Sequence, residues 1–155
     1  MIGKAVVCLT LLGVLALPGC SNSGNYLDIS GGGFVFNYRL SEAYAGFIAA
    51  PRRTLPDHSR IEATFENPAG GPPIVMTKDV TPDRSDYTFT TDPLTGIKAN
   101  KDYDLTVRLV SADGKEIEKI DKKFRSDMDQ SVLADKPLTI GPGYTRNPAL
   151  NSSGG

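Results

Sequence analysis

The sequence is poor in the residues that most often carry covalent or metal chemistry. It contains two cysteines, one histidine and no tryptophan among 155 residues. Cys8 lies within an apolar amino-terminal run, so Cys20 is the one thiol that remains for the rest of the chain. A single thiol forms neither an internal disulfide nor a cysteine cluster around a metal ion. We therefore expect a fold that is stabilised by packing alone.

An excess of charge of one sign is also absent. Lysine and arginine number 17 and the acids 18, which gives a formal net charge of −1. A protein that binds nucleic acid needs a concentrated basic face to displace counterions from the phosphates. We therefore expect no nucleic-acid partner. The hydrophobic fraction of 39% and the charged fraction of 23% are those of an ordinary globular chain, which argues against extensive disorder and against several membrane spans.

The amino terminus has the layout of an export signal. Lys4 supplies a positive charge, and residues 5–17 form an uncharged, mostly apolar run. As a helix this run extends about 20 Å, which is too short to cross a bilayer. A positive start followed by such a run is typical of a secretory signal peptide.

The apolar run leads into Leu17-Pro18-Gly19-Cys20. These residues resemble the lipobox of bacterial lipoproteins, in which a Leu precedes the Cys by three residues. The resemblance implies that the signal is cleaved before Cys20, that its thiol receives diacylglycerol, and that its new amine is usually acylated. Pro18 stands where Ala or Ser is commonest. The mature chain would then have no free thiol.

Such a modification predicts a lipid-anchored protein of the cell envelope. Each buried methylene contributes about 0.8 kcal/mol, so two or three acyl chains anchor a protein firmly. Ser21 follows the cysteine. By the same resemblance, an Asp at that position would favour retention at the inner membrane of a Gram-negative cell. We therefore expect the outer membrane if the cell has one.

Composition divides the chain into four parts. Residues 1–19 are the signal, and residues 20–33 comprise the lipidated cysteine and a flexible tether rich in Gly, Ser and Asn. Residues 34–141 form the folded domain, and 142–155 a flexible tail. Gly31-Gly32-Gly33 lacks the Lys-Ser and the strand-helix frame of a phosphate loop, and we interpret it as part of the tether.

The folded domain is predicted to be all-β. Apolar and polar residues alternate in a series of short segments, as in half-buried strands, and turn-forming residues separate them. Asp113-Gly114 is the strongest hairpin signal, since both residue types tolerate positive φ. Residues 115–125 fit a bulged strand, which the hairpin favours, or a short amphipathic helix. The other predicted strands cover 34–40, 43–49, 60–66, 72–77, 87–90, 103–109 and 137–140, with 72–77 at a sheet edge because of its prolines.

Seven or eight strands at about ten-residue spacing predict a β-sandwich. Ile97 precedes Tyr103 by six residues, and an alternating strand follows. This arrangement resembles the tyrosine corner of fibronectin type III and related immunoglobulin-like domains, which often read Leu-x-Pro-Gly-x-x-Tyr. Ala99 and Asn100 replace the Pro and Gly, and the tryptophan common in these domains is missing. The resemblance implies an immunoglobulin-like sandwich in which the Tyr103 ring is buried and its hydroxyl binds upstream backbone.

Residues with chemical potential are few. His58 lies in a polar turn, and we interpret it as a solvated residue. Asp102 and Asp104 share one face of a strand, and we interpret them as polar positions that face solvent. Asp127 and Asp129 could contribute to a calcium site, but they lack the glycine and distal glutamate of an EF-hand. We therefore predict no catalytic residue, no metal site, no cofactor and no enzymatic activity, and an enzyme using acidic residues is the least favoured hypothesis.

Two functional hypotheses remain. The first is a non-enzymatic envelope lipoprotein, held in the membrane through acylated Cys20, whose sandwich acts as a protein-interaction or assembly-accessory module for an envelope protein. Tyr144 in the tail is a candidate aromatic for docking. The alternative is a binding module for a glycan, a small molecule or calcium, using the end loops 51–59, 67–73 and 126–136.

A small basic patch at Arg52 and Arg53 has two interpretations. It could meet an anionic lipid or an acidic glycan. The simpler interpretation is a charged surface loop, because acidic residues are interspersed along the chain.

Overall fold

The computed structural model describes residues 25–150. The predicted signal and lipobox (Leu17, Pro18, Gly19 and Cys20) lie outside the described residues, as does the end of the predicted tail, 151–155. Among the described residues, no helix has the length and apolar character needed to span a membrane.

Nine strands and two short 3₁₀ helices follow one another along the described residues. The 3₁₀ helices are Gln130–Val132 and Pro148–Leu150. The strands are β1 (Leu27–Asn37), β2 (Glu42–Pro51), β3 (Arg60–Phe65), β4 (Ile74–Asp79), β5 (Tyr87–Thr90), β6 (Lys101–Val110), β7 (Glu116–Ser126), β8 (Thr139–Ile140) and β9 (Thr145–Arg146).

The strands are antiparallel and form two main sheets in a sandwich-like arrangement. One sheet has the order β1-β2-β5 and the other the order β4-β3-β6-β7. β4 is an edge strand, as its two preceding prolines predicted. β8 and β9 pair separately as a small hairpin. The prediction of a mostly β architecture is confirmed.

Alternation along the central strands explains the core. In β6, Tyr103 and Leu105 are buried while Asp102 and Asp104 are exposed, as the sequence predicted. Burying one such large apolar side chain contributes roughly 1.5–3 kcal/mol. Both sheets supply the core, which includes Ala43, Ala45, Phe47, Ile61, Ala63, Phe65, Tyr87, Phe89, Val107, Leu109 and Phe124.

The first strand begins earlier than the sequence predicted. Residues 27–33, predicted as tether, form the first part of β1. The Leu27 side chain is buried in the core. The backbone amides of Tyr26 and Leu27 donate to the Glu118 Oε2 atom at 3.1 and 3.0 Å. A carboxylate from distant β7 thus fixes the start of β1, and local composition gives no sign of it.

The glycine triplet makes a bulge in β1. Its φ angles are +65°, +124° and +152°, and the pairing of β1 with β2 shifts register between Ser30 and Gly33. A Cβ atom on Gly32 would lie 2.5 Å from the Phe124 Cζ atom and 3.0 Å from the Phe47 Cβ atom. The triplet therefore lets the strand pass close to the aromatic core, and its interpretation as a linker was wrong.

The predicted hairpin after β6 is confirmed. Gly114 adopts positive φ whereas Asp113 does not, so only the glycine of this pair uses the left-handed conformation in the turn. Leu109 pairs with Glu118 and Val110 with Glu116, which leaves Ile117 as an extra residue. The bulged strand is thus the observed form of this segment, and the helical alternative was wrong.

The predicted tail is structured as far as it is described. Thr145–Arg146 forms β9, and Asn147 is buried. The backbone amide of Asn147 donates to the Leu138 carbonyl at 2.9 Å, and its side-chain Nδ2 atom donates to the Pro137 carbonyl at 2.8 Å. These hydrogen bonds hold residues 142–147 against the strand before them, which corrects the prediction of a flexible segment there.

Candidate functional site

The strand registers sort the loops into two ends of the sandwich. One end, the amino-terminal end, contains the start of β1 and the loops 52–59, 80–86 and 111–115. The opposite end, the distal end, contains the remaining loops and the segment 127–150. A ten-residue strand such as β6 separates the two ends by about 30 Å.

Exposed apolar side chains concentrate at the distal end. Among the described residues, six of the nine large apolar side chains with high exposure belong to this end. We call this set the distal surface, and it consists of Tyr38, Met128, Val132, Leu138, Ile140 and Tyr144. Tyr144, predicted from the sequence as an exposed aromatic, has 85% of its surface accessible. Because scattered apolar residues are ordinary on a surface but clusters are not, this concentration marks a candidate interaction site.

Arg39 binds the part of the distal surface that surrounds β8 and β9. Its Nη1 atom donates to the Thr139 Oγ1 atom at 3.1 Å and to the Gly143 carbonyl at 2.9 Å. Its guanidinium lies 5.0 Å from the centroid of the Tyr144 ring. The amide of Leu138 donates to the Arg39 carbonyl at 2.9 Å. The backbone beside Tyr144 is therefore tied to Arg39, and the exposed ring lies next to the guanidinium.

The segment after β7 is fastened to the sandwich by Gln130. Its Nε2 atom donates to the Leu94 carbonyl at 2.7 Å, and its Oε1 atom accepts the Ile97 amide at 3.2 Å. The Tyr38 hydroxyl contacts the Met128 Sδ atom at 3.5 Å. The distal surface thus rests on a fixed base.

An open groove of about 730 Å³ lies at the amino-terminal end, between residues 51–59 and 80–87. Three arginines line it. The Arg53 guanidinium lies 3.6 Å from the centroid of the Tyr26 ring, and Tyr26 itself does not line the groove. The Arg84 guanidinium lies 5.0 Å from the centroid of the Tyr87 ring. Arg52 pairs with Asp28 at 2.5 Å, whereas Arg53 and Arg84 form no ion pair within residues 25–150.

The turn around His58 does not assemble a triad. His58 is exposed and has positive φ, and its side chain forms no hydrogen bond with described residues. The Ser59 hydroxyl is buried and donates to the Pro56 carbonyl at 2.6 Å. The neighbouring Asp57 is exposed. The hydroxyl therefore does not point to the imidazole as a nucleophile would.

Three of the four predicted acidic residues are engaged with basic groups or backbone, and Asp127 is exposed. Asp102 pairs with Arg125 at 3.2 Å and Asp104 with Lys123 at 2.6 Å, across the β6–β7 ladder. Asp129 accepts the amide two residues later at 3.1 Å, and this bond holds the pKa of its carboxyl below the ordinary value. Within residues 25–150, no group of three or more His, Cys, Asp or Glu side chains is placed to hold a metal ion.

Tyr103 and Ile97 lie in the core with no exposed surface. The Tyr103 hydroxyl accepts the backbone amide of Lys98 at 2.8 Å. Asn100, which stands where the resembled pattern has Gly, adopts φ +58°. Asn is among the non-glycine residues that best tolerate this conformation, so the backbone reaches it here without a glycine.

Some side chains form hydrogen bonds that hold loops in place and that the sequence did not predict. Tyr87 at the start of β5 accepts the Thr81 amide at 3.1 Å and donates to the Thr81 carbonyl at 3.2 Å. Arg39 and Gln130 bind segments that are distant in sequence. An arginine or glutamine in a polar stretch carries no local signal of such a contact.

The three end loops proposed for ligand binding do not come together. Residues 51–59 line the groove, whereas 67–73 and 126–136 lie at the distal end.

No protein-family model matches the chain, and no curated protein shows significant similarity to it. Function is therefore inferred from the residues and their arrangement.

Proposed function

We propose that this protein is a lipid-anchored envelope lipoprotein whose β-sandwich is a non-enzymatic protein-interaction or assembly-accessory module. The observation that carries the interaction is the distal surface, six exposed apolar side chains at one end of the domain, where Arg39 binds the segment around β8 and β9. Clusters of this kind on a small domain mark protein contacts. The anchor is proposed from the lipobox resemblance at Leu17 to Cys20, and the outer membrane from Ser21.

The sandwich is proposed to be immunoglobulin-like and closest in kind to fibronectin type III. In constant-type immunoglobulin domains the fourth strand pairs with the fifth, whereas here β4 pairs with β3 in the opposite sheet. The other six strands keep the constant-type neighbours. The hydrogen bond from the Lys98 amide to the Tyr103 hydroxyl supports the tyrosine-corner proposal.

The chemistry of the distal surface defines the partner. Large apolar and aromatic side chains bind complementary apolar side chains and supply most of the energy of an interface. Arg39 forms no ion pair within residues 25–150, although it stands beside the most exposed ring, that of Tyr144. The proposed partner is an envelope protein that presents apolar side chains around one carboxylate, which would pair with Arg39.

The anchor is tested by intact mass. The full-length chain is expressed in a bacterium and extracted from membranes beside a Cys20→Ala variant. We expect a wild-type product that begins at Cys20 and carries diacylglycerol, and a variant that is neither cleaved there nor lipidated. An unmodified wild-type chain would overturn the anchor.

The interaction is tested by site-specific photo-crosslinking in intact cells. A photoreactive phenylalanine replaces Tyr144 in one strain and Ile48, an exposed apolar residue in the middle of β2, in another. We expect one discrete adduct from position 144, lost when Arg39→Ala is added, and none from position 48. Adducts of the same pattern from both positions, or none from position 144, would refute docking at the distal surface.

A further inference from the structure

The chain enters the sandwich beside the arginine groove. Asn25 and Leu27 lie at the amino-terminal end, in a depression that also contains Arg52 and Arg53. Both arginines also line the larger groove. They therefore stand between the point of entry and the groove.

The reach of the preceding chain is short. Five residue steps separate Cys20 from Asn25. Whatever their conformation, five steps extend at most about 18 Å. If Cys20 is lipidated, as proposed above, the amino-terminal end is held close to the headgroups. The distal end then lies a full sandwich length, about 30 Å, further out when the strands stand upright.

The groove presents cationic groups suited to phosphate. Arg53 and Arg84 lie over tyrosine rings and form no ion pair within residues 25–150. Guanidinium groups bind phosphate in a bidentate manner. Asp57 and Asp83 also line the groove, so its charge is mixed. Local contact of individual arginines with phosphate groups fits this lining better than a broad electrostatic attraction.

The geometry points to a membrane-contact surface at the amino-terminal end, in which Arg53 and Arg84 bind the phosphates of phospholipids. This inference rests on the proposed lipid anchor. It assigns an orientation: the groove faces the bilayer, and the distal surface is presented to proteins.

The absence of tryptophan from the chain makes the orientation measurable. Thr54→Trp places one tryptophan on the groove, and Tyr144→Trp places one at the distal end. The full-length lipidated variants are reconstituted into phosphatidylcholine–phosphatidylglycerol vesicles that contain lipid brominated near the headgroup. We expect Thr54→Trp to lose most of its emission and Tyr144→Trp to keep it. Equal quenching at both positions, or none at position 54, would overturn the inference.

The role of the arginines is tested in the Thr54→Trp background. Arg53→Gln with Arg84→Gln should restore most of the lost emission. Lys122→Gln with Lys136→Gln removes the same charge elsewhere and should leave the quenching unchanged. Equal effects of the two pairs would reduce the contact to net charge and refute phosphate binding by the arginines.

The two proposals fail in different ways. Intact mass is measured on each reconstituted sample. Missing acyl chains would contradict the anchor itself. Acylated protein without quenching at position 54 would leave the anchor standing and remove the orientation.

Discussion

Gly32→Ala tests whether the glycine triplet is a built part of β1. The new Cβ atom would lie 2.5 Å from the Phe124 Cζ atom and 3.0 Å from the Phe47 Cβ atom. The Phe124 ring cannot simply turn aside, because it packs against the rings of Phe47 and Phe65 at centroid distances of 6.1 and 6.0 Å. Either β1 must move outward or the aromatic cluster must repack.

The magnitude follows from two costs. A side chain at positive φ costs about 1–2 kcal/mol, and forcing a methyl group into a packed core costs roughly 1–3 kcal/mol. We expect Gly32→Ala to lower the free energy of unfolding by about 3 kcal/mol. Gly31→Ala is the matched control, since its φ of +65° is also positive and no atom lies within 4 Å of the added Cβ. It should cost about 1 kcal/mol.

Urea unfolding followed by far-ultraviolet circular dichroism measures both variants. Since a domain of this size loses about 4 °C in Tm for each kcal/mol, the two variants should differ by roughly 8 °C in thermal scans. If Gly32→Ala and Gly31→Ala were equally stable, the close approach of β1 to Phe124 would be refuted. If neither differed from wild type, the triplet would be the flexible tether that its composition indicates.

Three further changes have defined outcomes. Tyr103→Phe leaves the Lys98 amide without its side-chain acceptor and should cost about 0.5–1.5 kcal/mol of unfolding free energy, measured in urea. Gln130→Ala removes the bonds to Leu94 and Ile97 and should raise hydrogen exchange in residues 91–100 before global stability falls. The ion pair with Lys101, and then the Asp104 amide, holds the Glu66 pKa below its ordinary 4.5, so its stabilisation is present above about pH 4.5 and is lost as pH falls through the folded value. Glu66→Gln should therefore flatten the loss of Tm on acidification in this range.

The central strands could be predicted from the sequence, because each is buried on one face only. β3 alternates throughout and β6 from Asp102 to Leu109, and Gly114 supplies the positive φ of the turn that follows. In such segments local pattern and tertiary burial agree, and no distant residue is needed to set the strand.

The ends of the domain could not be predicted in this way. The start of β1 depends on Glu118, which lies 91 residues from Leu27. Glycine-rich composition is shared by linkers and by bulges that pass close to a core, so the triplet alone does not distinguish them. The sequence alone does not show that Glu118 lies beside Leu27, or that the glycine triplet lies beside Phe124.

The candidate site was also predictable only in part. Tyr144 was predicted to be exposed, because turn residues surround it. The bond from Arg39 to the neighbouring Gly143 could not be predicted, since it joins residues 104 positions apart. Exposure follows from local polarity, whereas the grouping of Tyr38, Met128 and Tyr144 follows from the path of the chain.

The opposite placement of chain entry and distal surface has a mechanical consequence. A pull between Leu27 and the β8–β9 hairpin runs along the strands of the sandwich, not across them. Hydrogen bonds between antiparallel strands are perpendicular to the strands, so such a force loads the β1–β2 ladder in shear and many bonds share it. The Gly31–Gly33 bulge interrupts that ladder and is the first place where it should slip. Under the proposed anchoring and docking, tension between membrane and partner would load the strands lengthwise, and the bulge would lie on the membrane side.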